Sequence, residues 1–146
     1  MKKNKIDWLL LLFPLLTVLV ASGTSGVIVF DGENTAYFSW HQVVEQSSFG
    51  WCAPMAVVMN YVVFAFAVVY KLRKKEWCLK GILVLSLAAG CVAALPIVIQ
   101  SDVKVVPNAM GILLLLCESL VAYFVMKKLP DEKENTKKSG KRLQRH

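Results

Sequence analysis

A chain of 146 residues, 56% hydrophobic and carrying a net charge of +7, leaves no room for a second sizeable domain, and its basic balance invites comparison with nucleic-acid binders. The arrangement of those residues points elsewhere. The apolar residues are gathered into four blocks separated by polar or charged breaks, which is the membrane pattern rather than the short periodic elements of a soluble domain.

A spanning helix needs roughly 20 apolar residues at about 1.5 Å each. The blocks predict spans at about 6–22, 51–70, 81–99 and 108–126. On that threading every basic residue except Lys104 falls on one side: Lys2 to Lys5, Lys71 to Lys80, and Lys127 to the C-terminus. The other side holds Lys104 with Asp31, Glu33, Glu45 and Asp102. The positive-inside rule places both termini in the cytoplasm, and the expected location is the plasma membrane of a bacterium. The bilayer itself is the first partner. The Lys/Arg-rich 71–80 loop and the tail are expected to meet anionic inner-leaflet lipid, at about 1 kcal/mol per basic residue, and no nucleic acid is expected.

The first block has a basic start, then an apolar run from Trp8 to Ala21 interrupted by Pro14. Its Ala21-Ser22-Gly23 end resembles the cleavage region of a secretory signal peptide. Asp7, unusual before a signal core, and Trp8, suited to an interfacial anchor, favour retention as a span.

Residues 23–50 form the sizeable outer segment. Thr24-Ser25-Gly26 reads as a flexible start. Val27–Phe30 and Thr35–Phe38 are β-prone and flank the turn residues Asp31-Gly32-Glu33-Asn34, which predicts a short hairpin. Two strands alone are marginal in water, so the pair needs a surface to lean on. Next, Ser39 and Gln42 fit a capping box, with Phe38 and Val43 as its hydrophobic staple. Trp40, Val43 and Val44 then share one face, which predicts a short amphipathic helix along the outer surface.

The second block has Pro54 in its first turn, where a missing N–H is tolerated, and the brief Lys71–Lys75 link predicts an antiparallel helical hairpin with the third. In the third block Ser86, Gly90 and Ala94 recur every four residues, a helix-packing face without a stated neighbour. The loop 100–107 is short. Leu129-Pro130 is expected to end the fourth helix, and 127–146 reads as a disordered basic cytoplasmic tail.

Glu118 is the one acid or base in the interior of a block, and it has no base at its depth. A charged residue there costs about 2.5–3.5 kcal/mol on insertion scales. Its readings are a neutral acid hydrogen-bonded within the protein, a docking point for a basic residue of another span, or a proton or cation site. Asn60 lies at nearly the same depth, so Glu118 and Asn60 are expected to form an intramembrane polar pair. Of the cysteines, Cys91 and Cys117 read as small packing residues at mid-depth. His41 has no second ligand at metal-binding spacing, and no nucleophile–base pair, phosphate loop or paired catalytic carboxylates appear. Hence no catalytic residue, no metal, no cofactor and no enzymatic activity are expected.

Trp40 and Gly50-Trp51-Cys52 are similar to the end of the first outer loop of claudin-like proteins, but that family's second cysteine is absent and the loop is shorter. Membrane thiol oxidoreductases need paired outer cysteines, and small multidrug exporters carry their acid in the first span. Neither pattern is present.

The sequence therefore predicts an all-α membrane protein: an antiparallel bundle of four transmembrane helices over residues 1–126, with a short extracytoplasmic hairpin/helix segment between the first two. The expected role is a non-enzymatic interaction or accessory subunit of a larger membrane assembly, with another membrane protein or further copies of itself as partner. The rival reading is a small oligomeric transporter or channel using Glu118 as a protonatable site.

Overall fold

The computed structural model describes the backbone of residues 3–23, 26–45, 47–99 and 103–143, and side-chain surroundings between 8 and 128 within that set. Thr24, Ser25 and Asp102, read above as loop residues, lie outside the described residues. The element order is α1 (Lys3–Ser22), β1 (Val27–Asp31), β2 (Asn34–Phe38), α2 (Cys52–Arg73), α3 (Glu76–Val98), β3 (Lys104–Pro107) and α4 (Ala109–Leu143).

Three stretches, Cys52–Arg73, Glu76–Val98 and Ala109–Lys128, are helices long and apolar enough to cross a membrane, and Trp8–Ser22 of α1 is a shorter apolar helix. These helices form where the predicted apolar blocks lie, because a long apolar run can satisfy its backbone polar groups only within itself. α2 packs against α3, α3 against α4, and α1 against both α4 and α2. Each helix thus has two principal neighbours, and α2 and α4 lie diagonally.

The α2–α3 connection is the short hairpin expected. Lys74 adopts a left-handed conformation (φ 50°) and its N–H donates to Tyr70 O at 2.7 Å, closing α2, and α3 begins two residues later. The tail differs from expectation. Backbone helix continues past Pro130 to Leu143 in α4, over a stretch rich in the helix formers lysine and glutamate.

The β-hairpin forms as predicted, with Gly32 at φ 58° in its turn, a conformation that glycine adopts without penalty. The sequence reading missed its third strand. Residues 104–107, taken as a plain loop, add to the free edge of β1, giving an antiparallel sheet in the order β2-β1-β3. Pro107 can end this strand because β3 lies at the sheet edge. The third strand and the helix ends beneath supply the support that two strands would lack. Val27, Val29 and Val105 point down into an apolar cluster with Ala53, Val57 and Leu115 of the helices.

The predicted amphipathic helix at 39–45 is absent, and this corrects the sequence reading. Half of the capping box does form: Ser39 N–H donates to the Gln42 side-chain oxygen at 2.9 Å. It closes an isolated turn, and the chain then folds back on itself between Val44 and Gly50. Gly50 presses against the Val44 backbone, leaving no space for a side chain. Long-range bonds to Trp40 decide the outcome. Its N–H donates to Ala21 O at 2.9 Å, and its indole Nε1–H donates to Gly26 O at 2.6 Å. Trp40 is 0% exposed whereas Val43 is 57% exposed, so the two do not share a buried face.

Candidate functional site: a buried polar layer and an apolar sheet face

Two apolar clusters fill the interior, one under the sheet and one at the opposite, basic end. Along every helix the two are separated by a buried polar residue. In α1, Thr17 lies between Leu10 and Ala21, and in α2, Asn60 lies between Val57 and Val63. In α3, Ser86 lies between Ile82 and Ala89, and in α4, Glu118 and Ser119 lie between Leu115 and Ala122. The helices are therefore in register. Gly90 lies against Leu115 and Leu116, which sets Ser86, one turn along α3, level with Ser119 and Glu118. Gly81 lies against Phe66, which likewise sets Ser86 near the height of Asn60.

Within this layer the expected Glu118–Asn60 hydrogen bond is not formed. The Asn60 side-chain amide donates instead to Pro14 O of α1 at 3.0 Å. Asn60 Oδ1 and both carboxyl oxygens of Glu118 are buried without a hydrogen-bond partner. Helix order explains this: α2 packs on α1 and α3 and lies diagonal to α4, so the amide nitrogen bonds α1 and only Oδ1 is left uncommitted. Glu118 is 0% exposed and is closed off by apolar clusters above and below. In this arrangement its carboxyl is not exposed to a basic residue on another protein's span.

The small-residue stripe turns inward as well. Ser86 and Gly90 are buried and Ala94 is half-buried, and the side facing α4 receives Leu116, whose Cδ2 would lie 3.2 Å from a Cβ at Gly90. By contrast, Cys91 and Cys117, expected to pack inside, are exposed, and the buried cysteines are Cys52 and Cys78. Neighbours along a helix point about 100° apart, so burying Gly90 and Glu118 turns Cys91 and Cys117 outward. The described residues contain no group of three His, Cys, Asp or Glu placed to hold a metal ion. His41 lies 3.3 Å from the Tyr61 hydroxyl on an exposed flank.

Trp40 joins the sheet to the helices. Its indole bonds Gly26, just before β1, and its ring lies so close to Gly111 in the first turn of α4 that a Cβ there would be 2.6 Å from it. Gly26 O also accepts from Asn108 N–H at 2.7 Å. A buried tryptophan flanked by two glycines has this signature in sequence only once its partners are known.

The opposite face of the sheet has no cover among the described residues. Tyr37, Ile28 and Val106 align across the three strands, beside the row Thr35, Phe30 and Lys104. Tyr37 is 61%, Phe30 40% and Val106 36% exposed. Alternation along a strand sends successive side chains to opposite faces, so the same strands that build the core also display this apolar row. Alternation is visible in sequence. That both faces are apolar becomes meaningful once β3 is in place.

Long apolar helices, a sheet seated on one end and a polar layer at mid-height together define a helical protein compatible with a membrane. Comparisons with protein-family models, curated proteins and solved structures return no match, so the functional reading rests on the chain's own geometry.

Proposed function

We propose that this chain is a four-span antiparallel bundle of a cell membrane and acts as a non-enzymatic interaction subunit, docking a partner through the exposed face of its sheet. The carrying observation is the Tyr37–Ile28–Val106 row with Phe30 beside it, an apolar surface on the face of the sheet turned away from the helices. The threading is supported by charge. Lys71, Arg73, Lys74, Lys75, Lys80, Lys127 and Lys128 gather at the end away from the sheet, and by the positive-inside rule this supports a threading with that end and both termini in the cytoplasm and the sheet outside. There they favour anionic inner-leaflet lipid. α1 crosses as the fourth span, anchored by Trp8, whose ring stacks under Lys71 Nζ at 3.0 Å from its centroid.

The partner is the extracytoplasmic part of another membrane protein, presenting an apolar patch ringed by basic groups. The sheet end carries the acids Asp31, Glu33 and Glu45 against the single base Lys104, which disfavours a second copy of the same face. A photo-reactive residue placed at Tyr37 in living cells should cross-link to one discrete protein, and Ile28→Lys should abolish that product while membrane insertion stays as in the wild type. A product consisting of a second copy of the chain, or the absence of any product, would overturn the reading.

A further inference from the structure

Three oxygens in the middle of the molecule are buried without partners: Asn60 Oδ1 and the two carboxyl oxygens of Glu118. The orientation of the amide is determined, because its nitrogen donates to Pro14 O at 3.0 Å and a carbonyl cannot donate in return. The nearby hydroxyls do not supply the missing hydrogens. Thr17 donates to Phe13 O at 2.9 Å, Ser86 to Ile82 O at 2.6 Å and Ser119 to Leu116 O at 2.7 Å. Each has spent its one hydrogen on its own helix and keeps oxygen lone pairs. Among the described residues the buried polar set is these five side chains, with no lysine, arginine or histidine in it.

The layer is therefore rich in oxygen and poor in donors. One proton on Glu118 makes one hydrogen bond and so satisfies at most two of the three oxygens. A hard cation takes several oxygen ligands at once and can engage all three together with the hydroxyls. A single carboxylate among neutral oxygens balances one positive charge, whereas a divalent ion would leave a net charge buried. We propose that the layer is a binding site for one alkali cation, held by the Glu118 carboxylate and Asn60 Oδ1, with the hydroxyl oxygens of Thr17, Ser86 and Ser119 completing the cage. The site draws one ligand or more from each helix, so occupancy ties α1, α2, α3 and α4 together at mid-height. It does not depend on the sheet-face reading above.

The full chain, purified into nanodiscs, is tested with Na⁺. Replacing choline chloride by NaCl at constant ionic strength should raise the melting temperature in a saturable way, as binding to the folded state alone requires. Glu118→Gln should abolish the rise, and Asn60→Ala should shift its midpoint to about tenfold higher Na⁺, the effect of losing one modest ligand. A melting temperature indifferent to Na⁺ would mean that a proton and a trapped water fill the layer, and would overturn the proposal. So would an equal rise in Glu118→Gln. Should that variant fail to fold, direct binding of radioactive ²²Na⁺ to the wild-type chain decides. One ion per chain, weakened in Asn60→Ala, supports the site, and no retained ion refutes it.

Discussion

The two ends of this molecule are held by different means. At the basic end, the α2–α3 turn is local: Lys74 N–H closes on Tyr70 O, and the helices leave it already side by side. α1 joins there through Leu10, buried in the apolar cluster of that end, and through the stacking of Lys71 on Trp8. At the sheet end, the end of α1, the entry to β1 and the start of α4 meet on one residue. Trp40 bonds the end of α1 through Ala21 O and the entry to β1 through Gly26 O, and its ring seats on α4 at Gly111. A local turn forms whatever the rest of the chain does. A hub of remote contacts stabilises only when all its parts are present, so damage there should spread further.

That contrast can be broken or sharpened by substitution, with unfolding followed in mixed micelles. The largest effect is expected for Trp40→Ala. Removing this fully buried ring should cost about 3–5 kcal/mol and detach the sheet, seen as loss of protection in the backbone amides of β1 and β3. A loss confined to the 39–50 loop would show that Trp40 is not the hub. Next comes Gly111→Ala, where the added methyl meets the Trp40 ring, for an expected cost of about 1–3 kcal/mol. The paired variant Gly111→Ala with Trp40→Leu should recover part of that cost, and no recovery would place the clash elsewhere. The smallest effect is expected at the basic end. Lys71→Ala should lose about 0.5–1 kcal/mol, the value of an exposed cation–π contact, with Lys71→Arg close to wild type. A loss larger than that of Gly111→Ala would reverse the comparison.

The middle of the molecule follows neither pattern, and it shows how far the sequence could be read. Glu118 and Asn60 stood out as polar residues in apolar blocks, and both are buried. Their partnership was misread because equal depth does not establish adjacency: the order of the helices directs Asn60 to Pro14. Thr17 and Ser119 carried no signal, since a hydroxyl in a spanning helix can satisfy itself on its own backbone wherever it points. Ser86 was noticed only for its size.

The sequence alone determined the four apolar helical blocks, the hairpin at Gly32, the short link between α2 and α3 and the separation of charge between the two ends. Each of these follows from neighbours in the chain: apolar runs that must satisfy their own backbone, turn residues with permitted dihedrals, and lysines clustered at block ends. Tertiary structure decided the rest. It recruited β3 to the edge of β1, turned Trp40 inward where a surface helix was expected, aligned at least one polar residue from each helix at a common height, and faced Cys91 and Cys117 outward. These features depend on which remote surfaces meet, and a residue's own neighbours in the chain do not carry that information.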